Sequence, residues 1–185
     1  MIHWRRYFAE LVGTAALLCA VIGSGIMAEQ LAGGNVAVAL LANTLATVFA
    51  LYALIETLGP VSGAHFNPVV SLIGRIRGEL TSTVFFQYLS AQIFGAISGA
   101  VIAHALFNLN VLQISHHPRD GWNLLLSEAV ATAGLVFIIC QLEFQKKSKK
   151  IPVAVASWIF AAYFFTSSTS FANPVVTVAR TLSDT

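Results

Sequence analysis

The sequence predicts an all-α membrane protein built as an inverted repeat. It has five spanning helices and two re-entrant half-helices, and the sixth spanning helix that would complete the second copy is missing. Three observations carry that prediction. The 185 residues are 57% hydrophobic and only 10% charged, against roughly 25% charged in soluble domains, and the mean hydropathy is +0.77. Five stretches are apolar enough to cross a hydrocarbon core about 30 Å thick, which takes about 20 helical residues. A phrase in the first half, SGAHFNPVV at 62–70, returns in the second as SFANPVV at 170–176.

The first span, residues 8–27, holds one charge, Glu10. Its basic start HWRRYF resembles a signal peptide. Against that reading, the apolar run is too long and Ile26-Met27-Ala28 is not a small-x-small cleavage site. Spans 36–55 and 84–107 carry no charge, and Gly95-x3-Gly99 in the latter suits close helix packing. Span 124–142 holds Glu128, and span 151–170 is uncharged but ends in a Ser/Thr run.

With a cytoplasmic N-terminus, Arg5, Arg6, Arg75, Arg77, Lys146, Lys147, Lys149 and Lys150 all fall in inner loops, and Arg119 alone in an outer one. That bias sets the orientation. The QKKSKK run reads as a solvated loop, and Glu56 and Glu79 lie near the same interface.

Other classes are excluded by what the chain lacks. A net charge of +2 without alternating basic and aromatic residues does not fit nucleic acid. Cys19 and Cys140 sit alone in apolar segments, without a CxxC or His partner, and read as packing residues. His116, His117 and Asp120 in the outer loop lack metal-ligand spacing. No HExxH or GxSxG pattern and no placed Ser/His pair supports an intramembrane enzyme. No cofactor is expected.

The repeat is visible in AELVGT (9–14) and SEAVAT (127–132), which both set Glu and Thr four apart, on one helix face. The paired Glu residues are 118 apart and the paired Asn residues 106 apart, a difference that loops absorb. One transmembrane domain covers 1–185, with repeats at about 1–107 and 124–185. Three spans per half reverse the second copy in the membrane, an architecture whose working site lies at the midplane.

Asn before Pro announces a helix start, Asn as N-cap and Pro as first residue. After Asn67-Pro68 the helix meets basic GRIRGE about ten residues on, a rise of about 15 Å, half the hydrocarbon core. The preceding span has already reached the inner side, so this piece enters to mid-depth and returns. Irregular backbone is tolerated there only in protein or along a wet cavity. Gly63 and Ala64 suit such a loop, and His65 reads as packing within it. Asn173-Pro174 is the matching piece from the outer side. Two half-helix N-termini, each with about half a positive charge, would then meet at the centre. They favour neutral hydrogen-bonding solutes over cations.

With these residues in place, the chain resembles the aquaporin and aquaglyceroporin channels, the major intrinsic proteins, over essentially its whole length. The resemblance implies a right-handed bundle of six spanning helices and two half-helices, usually a homotetramer with one pore per subunit. It implies that Asn67 and Asn173 bond the solute and that Pro68 and Pro174 stack. It also implies that Glu10 and Glu128 brace the re-entrant loops, which gives buried carboxylates the partners they need.

Three departures from the family pattern shape the expectation. Both motifs read Asn-Pro-Val, with Val69 and Val175 where Ala is usual. The outer filter, counted without gaps from each Asn, falls on Thr47, Ala161, Ser170 and Val176. It lacks the family's Arg, while Arg180 follows one turn later. A filter of small neutral residues predicts passage of water, glycerol- or urea-sized solutes and neutral metalloid acids such as arsenite. It resembles a bacterial subset associated with arsenic handling, which implies a bacterial cytoplasmic membrane. Finally, the chain stops at Thr185, twelve residues after Asn173, before a sixth span. The alternative expectation is therefore a truncated, non-conducting relative or a fragment.

Overall fold

The computed structural model describes residues 4–111, 113–116 and 121–184. His117, Arg119 and Asp120 of the outer loop lie outside the described residues. Among the described residues seven α-helices follow in order: α1 Trp4–Leu31, α2 Val36–Ser62, α3 Pro68–Ile76, α4 Ser82–Leu106, α5 Trp122–Phe144, α6 Ile151–Phe165 and α7 Pro174–Arg180. A 3-10 turn, Ser148–Lys150, leads into α6. No strand occurs among the described residues.

Local chemistry accounts for the helix ends. Asn35 and Thr81 cap α2 and α4 by accepting from Val38 N and Val84 N. Gly63, at φ 89°, closes α2 with its N–H on the Gly59 carbonyl, a left-handed position that suits glycine. α2 runs to Ser62 despite Pro60 within it, further than the span 36–55 expected from hydropathy.

α1, α2, α4 and α5 are each long and apolar enough to cross a membrane. α6 has only 15 residues, about 22 Å. It stops at Phe165 and not at residue 170, because the Ser/Thr run bonds its own backbone and α5 instead of continuing the helix. Thr166 Oγ1 donates to the Ala162 carbonyl at 2.7 Å, and Ser127 and Ser167 hydroxyls pair at 2.9 Å.

α1 and α4 form the tightest helix pair. A methyl group on Gly95 would lie 2.5 Å from the Leu11 carbonyl oxygen, and one on Gly99 would lie 2.4 Å from that of Ala15. The halves also interlock. α7, from the second half, packs on α1 and α4, burying Val175, Val176 and Ala179 against Leu18, Ile22 and Ala100. α3, from the first half, meets α5. A second core joins α2, α5 and α6 through Val48, Ala131, Val155 and Ile159. Beyond α7, His104 Nε2 of α4 pairs with Ser183 Oγ at 2.9 Å and Ser115 N donates to the Thr181 carbonyl at 2.9 Å, so α4 and the segment after it tie down the residues after the half-helix.

Candidate functional site: the crossed asparagines and their cavity

Between α2 and α3 the chain passes through residues 63–67 with its N–H groups turned toward one buried carboxylate. Glu10 is fully buried in α1. Its Oε1 accepts from Ser62 Oγ at 2.7 Å and His65 N at 2.9 Å, and its Oε2 from Phe66 N at 2.8 Å and Gln92 Nε2 at 2.9 Å. Glu128 of α5 is only half-buried and accepts from Phe171 N at 3.0 Å and Ala172 N at 2.7 Å. The same device thus appears twice, with four donors on one copy and two on the other.

The loops share an unusual backbone. Ala64 and Phe66 have φ of 49° and 47°, and Ser170 and Ala172, at the matching distances before Asn173, have 51° and 46°. Left-handed non-glycine residues cost on the order of 1–3 kcal/mol each and persist only when neighbours hold them. The carboxylates supply that hold on one side, and packing supplies it on the other. The Phe66 ring fills the notch at Gly13, where a methyl group would sit 2.0 Å from the ring.

Each loop ends in the N-cap asparagine of a half-helix. Asn67 Oδ1 accepts from Val69 N at 2.9 Å, and Asn173 Oδ1 from Val175 N at 3.2 Å. Each amide then reaches across. Asn67 Nδ2 donates to the Ala172 carbonyl at 2.7 Å, and Asn173 Nδ2 to the Phe66 carbonyl at 2.8 Å. Pro68 is half-buried and Pro174 exposed, and the bonds that join the two tips are those of the asparagines.

A cavity of about 130 Å³ runs past both asparagines. Its loop side presents Gly63, Ala64, His65 and Ser170. Its other walls are stripes spaced by four, one face of each helix. α2 contributes Thr47, Leu51 and Ile55, and α6 contributes Ile151, Val155, Ile159 and Tyr163. That register corrects one expected filter position. Ala161 lies two residues off the α6 stripe, is exposed, and is not on the cavity. The gap-free count back from Asn173 fails because it crosses the Ser/Thr turn, where helix phase is lost. Tyr163 stands in the wall instead, its hydroxyl 3.4 Å from Thr47 Oγ1. Thr47, Ser170 and Val176 do line the cavity, and the buried Ser170 hydroxyl has no protein partner.

At the α3 end of the cavity, His65 packs with Nδ1 3.1 Å from Ser71 Oγ and its ring edge-on to Tyr88. Just below, Arg77 at the end of α3 pairs with Glu79 at 2.9 Å and with Glu143 of α5, and donates to Cys140 Sγ at 3.4 Å. Slight burial opposes the Arg77 charge, but the bonds to Glu143 and Cys140 outweigh it and raise its pKa further. Both cysteines are free thiols. Sequence reasoning missed Ser62, Gln92 and Tyr163. For Tyr163 the signal was there, in the four-residue spacing that starts at Ile151.

Comparison with known proteins agrees with this geometry. The family model described as major intrinsic protein matches residues 1–183. Aquaglyceroporin AqpS of Rhizobium meliloti (strain 1021) is 47% identical over 98% of this chain and 77% of its own length. Aquaglyceroporin-3 of Trypanosoma brucei brucei is 28% identical over 86% of this chain. The chain spans 59% of that relative and 37% of the rat lens fiber major intrinsic protein. The aquaglyceroporin structure from Plasmodium falciparum shares the fold, with a TM-score of 0.72 at 21% identity, covering 96% of this chain and 79% of the other. Crossed half-helices, twin carboxylate braces and a family match over nearly the whole length lead to one statement: this chain belongs to the major intrinsic protein family of multi-pass membrane channels, the aquaporins and aquaglyceroporins.

Proposed function

We propose that the chain forms a passive channel for water and small uncharged solutes, with glycerol, urea and neutral metalloid acids such as arsenite as the solute class. The observation that carries this reading is the crossed asparagine pair. Each amide oxygen caps its own half-helix and one N–H bonds the opposite loop, which leaves each amide a second N–H beside the cavity. Two fixed donors at mid-depth can pass a neutral hydroxyl along. At the two asparagines a cation meets donors, together with the positive end of α3.

The walls support a solute with both polar and apolar edges. The polar residues His65, Asn67, Ser170 and Asn173 lie on the loop side, and aliphatic stripes line the other. A polyol slides hydroxyls along the first and C–H groups along the second. Arsenous acid, neutral near pH 7 with three hydroxyls, is of the same kind. Tyr163 makes the outer constriction narrower than four small residues would, while Thr47, Ser170 and Val176 keep it uncharged. Glu10 and Glu128 act by holding the strained loops, and have no role in contacting solute.

The setting we infer is a bacterial cytoplasmic membrane with the N-terminus inside, and a homotetramer whose exposed apolar faces on α2 and α5 meet lipid or neighbours. Stopped-flow light scattering of vesicles carrying the purified chain tests the reading. Water and glycerol flux should stand well above lipid background and fall at least about tenfold in Asn173→Asp, which replaces the donor amide with an acceptor. Background flux from well-folded protein would refute the channel and leave a non-conducting relative.

A further inference from the structure

We propose that Glu143 is a solute-binding residue at the α3 end of the cavity. Its free carboxylate oxygen takes the O–H or N–H groups of a neutral solute as that solute sheds water, and Arg77 positions it. This rests on the channel reading above. Among the described residues that line the cavity, Glu143 alone carries a formal charge. It stands in the last turn of α5, beside Arg77, the C-cap of α3. The nine residues of α3 set this end about 13 Å from the asparagines. Glu143 is therefore separate from the crossed pair and from the layer of Thr47 and Tyr163.

The two oxygens of Glu143 face different spaces. A second cavity of about 30 Å³ lies between α3 and α5, and Glu143 borders both cavities. Arg77, Glu79 and Cys140 border only the smaller one. There Arg77 Nη1 donates to Glu143 Oε2 and, at 3.4 Å, to Cys140 Sγ, while Arg77 Nε is held by Glu79 Oε1 at 2.9 Å. No described residue bonds Oε1. With Oε2 turned to the smaller cavity, Oε1 is left on the wall of the larger.

A fixed acceptor here complements the centre. Asn67 and Asn173 offer donors, and the aliphatic stripes offer neither donor nor acceptor. Glycerol entering a cavity of about 130 Å³ gives up the water acceptors of its hydroxyls. An ionised acceptor replaces them with bonds roughly twice as strong as a neutral one makes. Water is smaller and keeps its neighbours in file, so it depends less on the wall. Glu143 therefore sets the ratio of solute flux to water flux more than it sets water flux itself.

The test reads glycerol and water flux by stopped flow in vesicles carrying wild type, Glu143→Gln, Glu143→Leu, Arg77→Gln or Arg77→Lys, with the Tm of each protein measured in detergent. E143Q keeps the shape and a neutral carbonyl, and should cut glycerol flux about threefold. E143L removes the acceptor and should cut it about tenfold, with water flux changing less than about twofold in both. R77Q should lower the glycerol-to-water ratio about threefold by releasing Oε2, and R77K should restore most of it. An unchanged ratio in the Glu143 variants would overturn the assignment. Equal falls in glycerol and water flux would overturn it too, since they mark a residue that only ties α3 to α5. If E143L does not fold, the ratio in E143Q alone decides. A wild-type ratio in R77Q would overturn the positioning role of Arg77. Absence of glycerol flux in wild type would instead sink the channel reading, and this inference with it.

Discussion

Replacing the two bracing glutamates by glutamine should hurt the protein unequally, and the structure says by how much. In Glu10→Gln, whichever way the amide is turned, its NH2 faces donors. One orientation sets it against Phe66 N and Gln92 Nε2, the other against His65 N and Ser62 Oγ. At least one buried backbone N–H loses its acceptor, at about 1–3 kcal/mol, and the surviving bonds drop from charge-assisted to neutral strength, about 1 kcal/mol each. Relief from burying the charge offsets part of this. The net cost is about 3–5 kcal/mol, or roughly 6–20 °C in Tm for a chain of this size.

Glu128→Gln disturbs two bonds on a half-buried group, so its cost should be about 1–2 kcal/mol. Thermal unfolding of detergent-purified protein, followed by tryptophan fluorescence, measures both. Glycerol flux should fall in E10Q as residues 64–66 relax from their left-handed conformations. Equal Tm losses in the two variants, or a larger loss in E128Q, would refute the reasoning that donor number and burial set the strength of each brace.

Other outcomes follow from close contacts and from the cavity wall. Gly99→Ala pushes a methyl group into the Ala15 carbonyl at 2.4 Å, and should lower stability by about 1–3 kcal/mol, visible as a lower Tm. Tyr163→Ala removes the ring beside Thr47. It should raise flux of solutes larger than glycerol, such as erythritol, with little change for water, and an unchanged size cut-off would place the constriction elsewhere. Val176→Arg puts a long cation onto the cavity wall, and should cut glycerol flux several-fold more than water flux in the same vesicles.

What the sequence by itself determined is everything governed by near neighbours in the chain. The long spans follow from apolar length, the half-helix starts from Asn67-Pro68 and Asn173-Pro174, a close-packing face from Gly95 and Gly99, and the two-copy plan from Glu10 and Glu128 in matching phrases. Only the tertiary structure decided what depends on distant segments meeting. Asn67 bonds the carbonyl of Ala172, 105 residues away, and Gln92 completes the Glu10 brace from 82 residues away. Tyr163, not Ala161, faces the cavity because helix phase cannot be counted through the irregular turn at 166–172, whose geometry is fixed by Glu128 and by contacts with the other half. Hydrophobic period and capping are local and survive in one dimension. Pore-facing identity is a matter of rotation and depth, and these are set only when the two halves pack together.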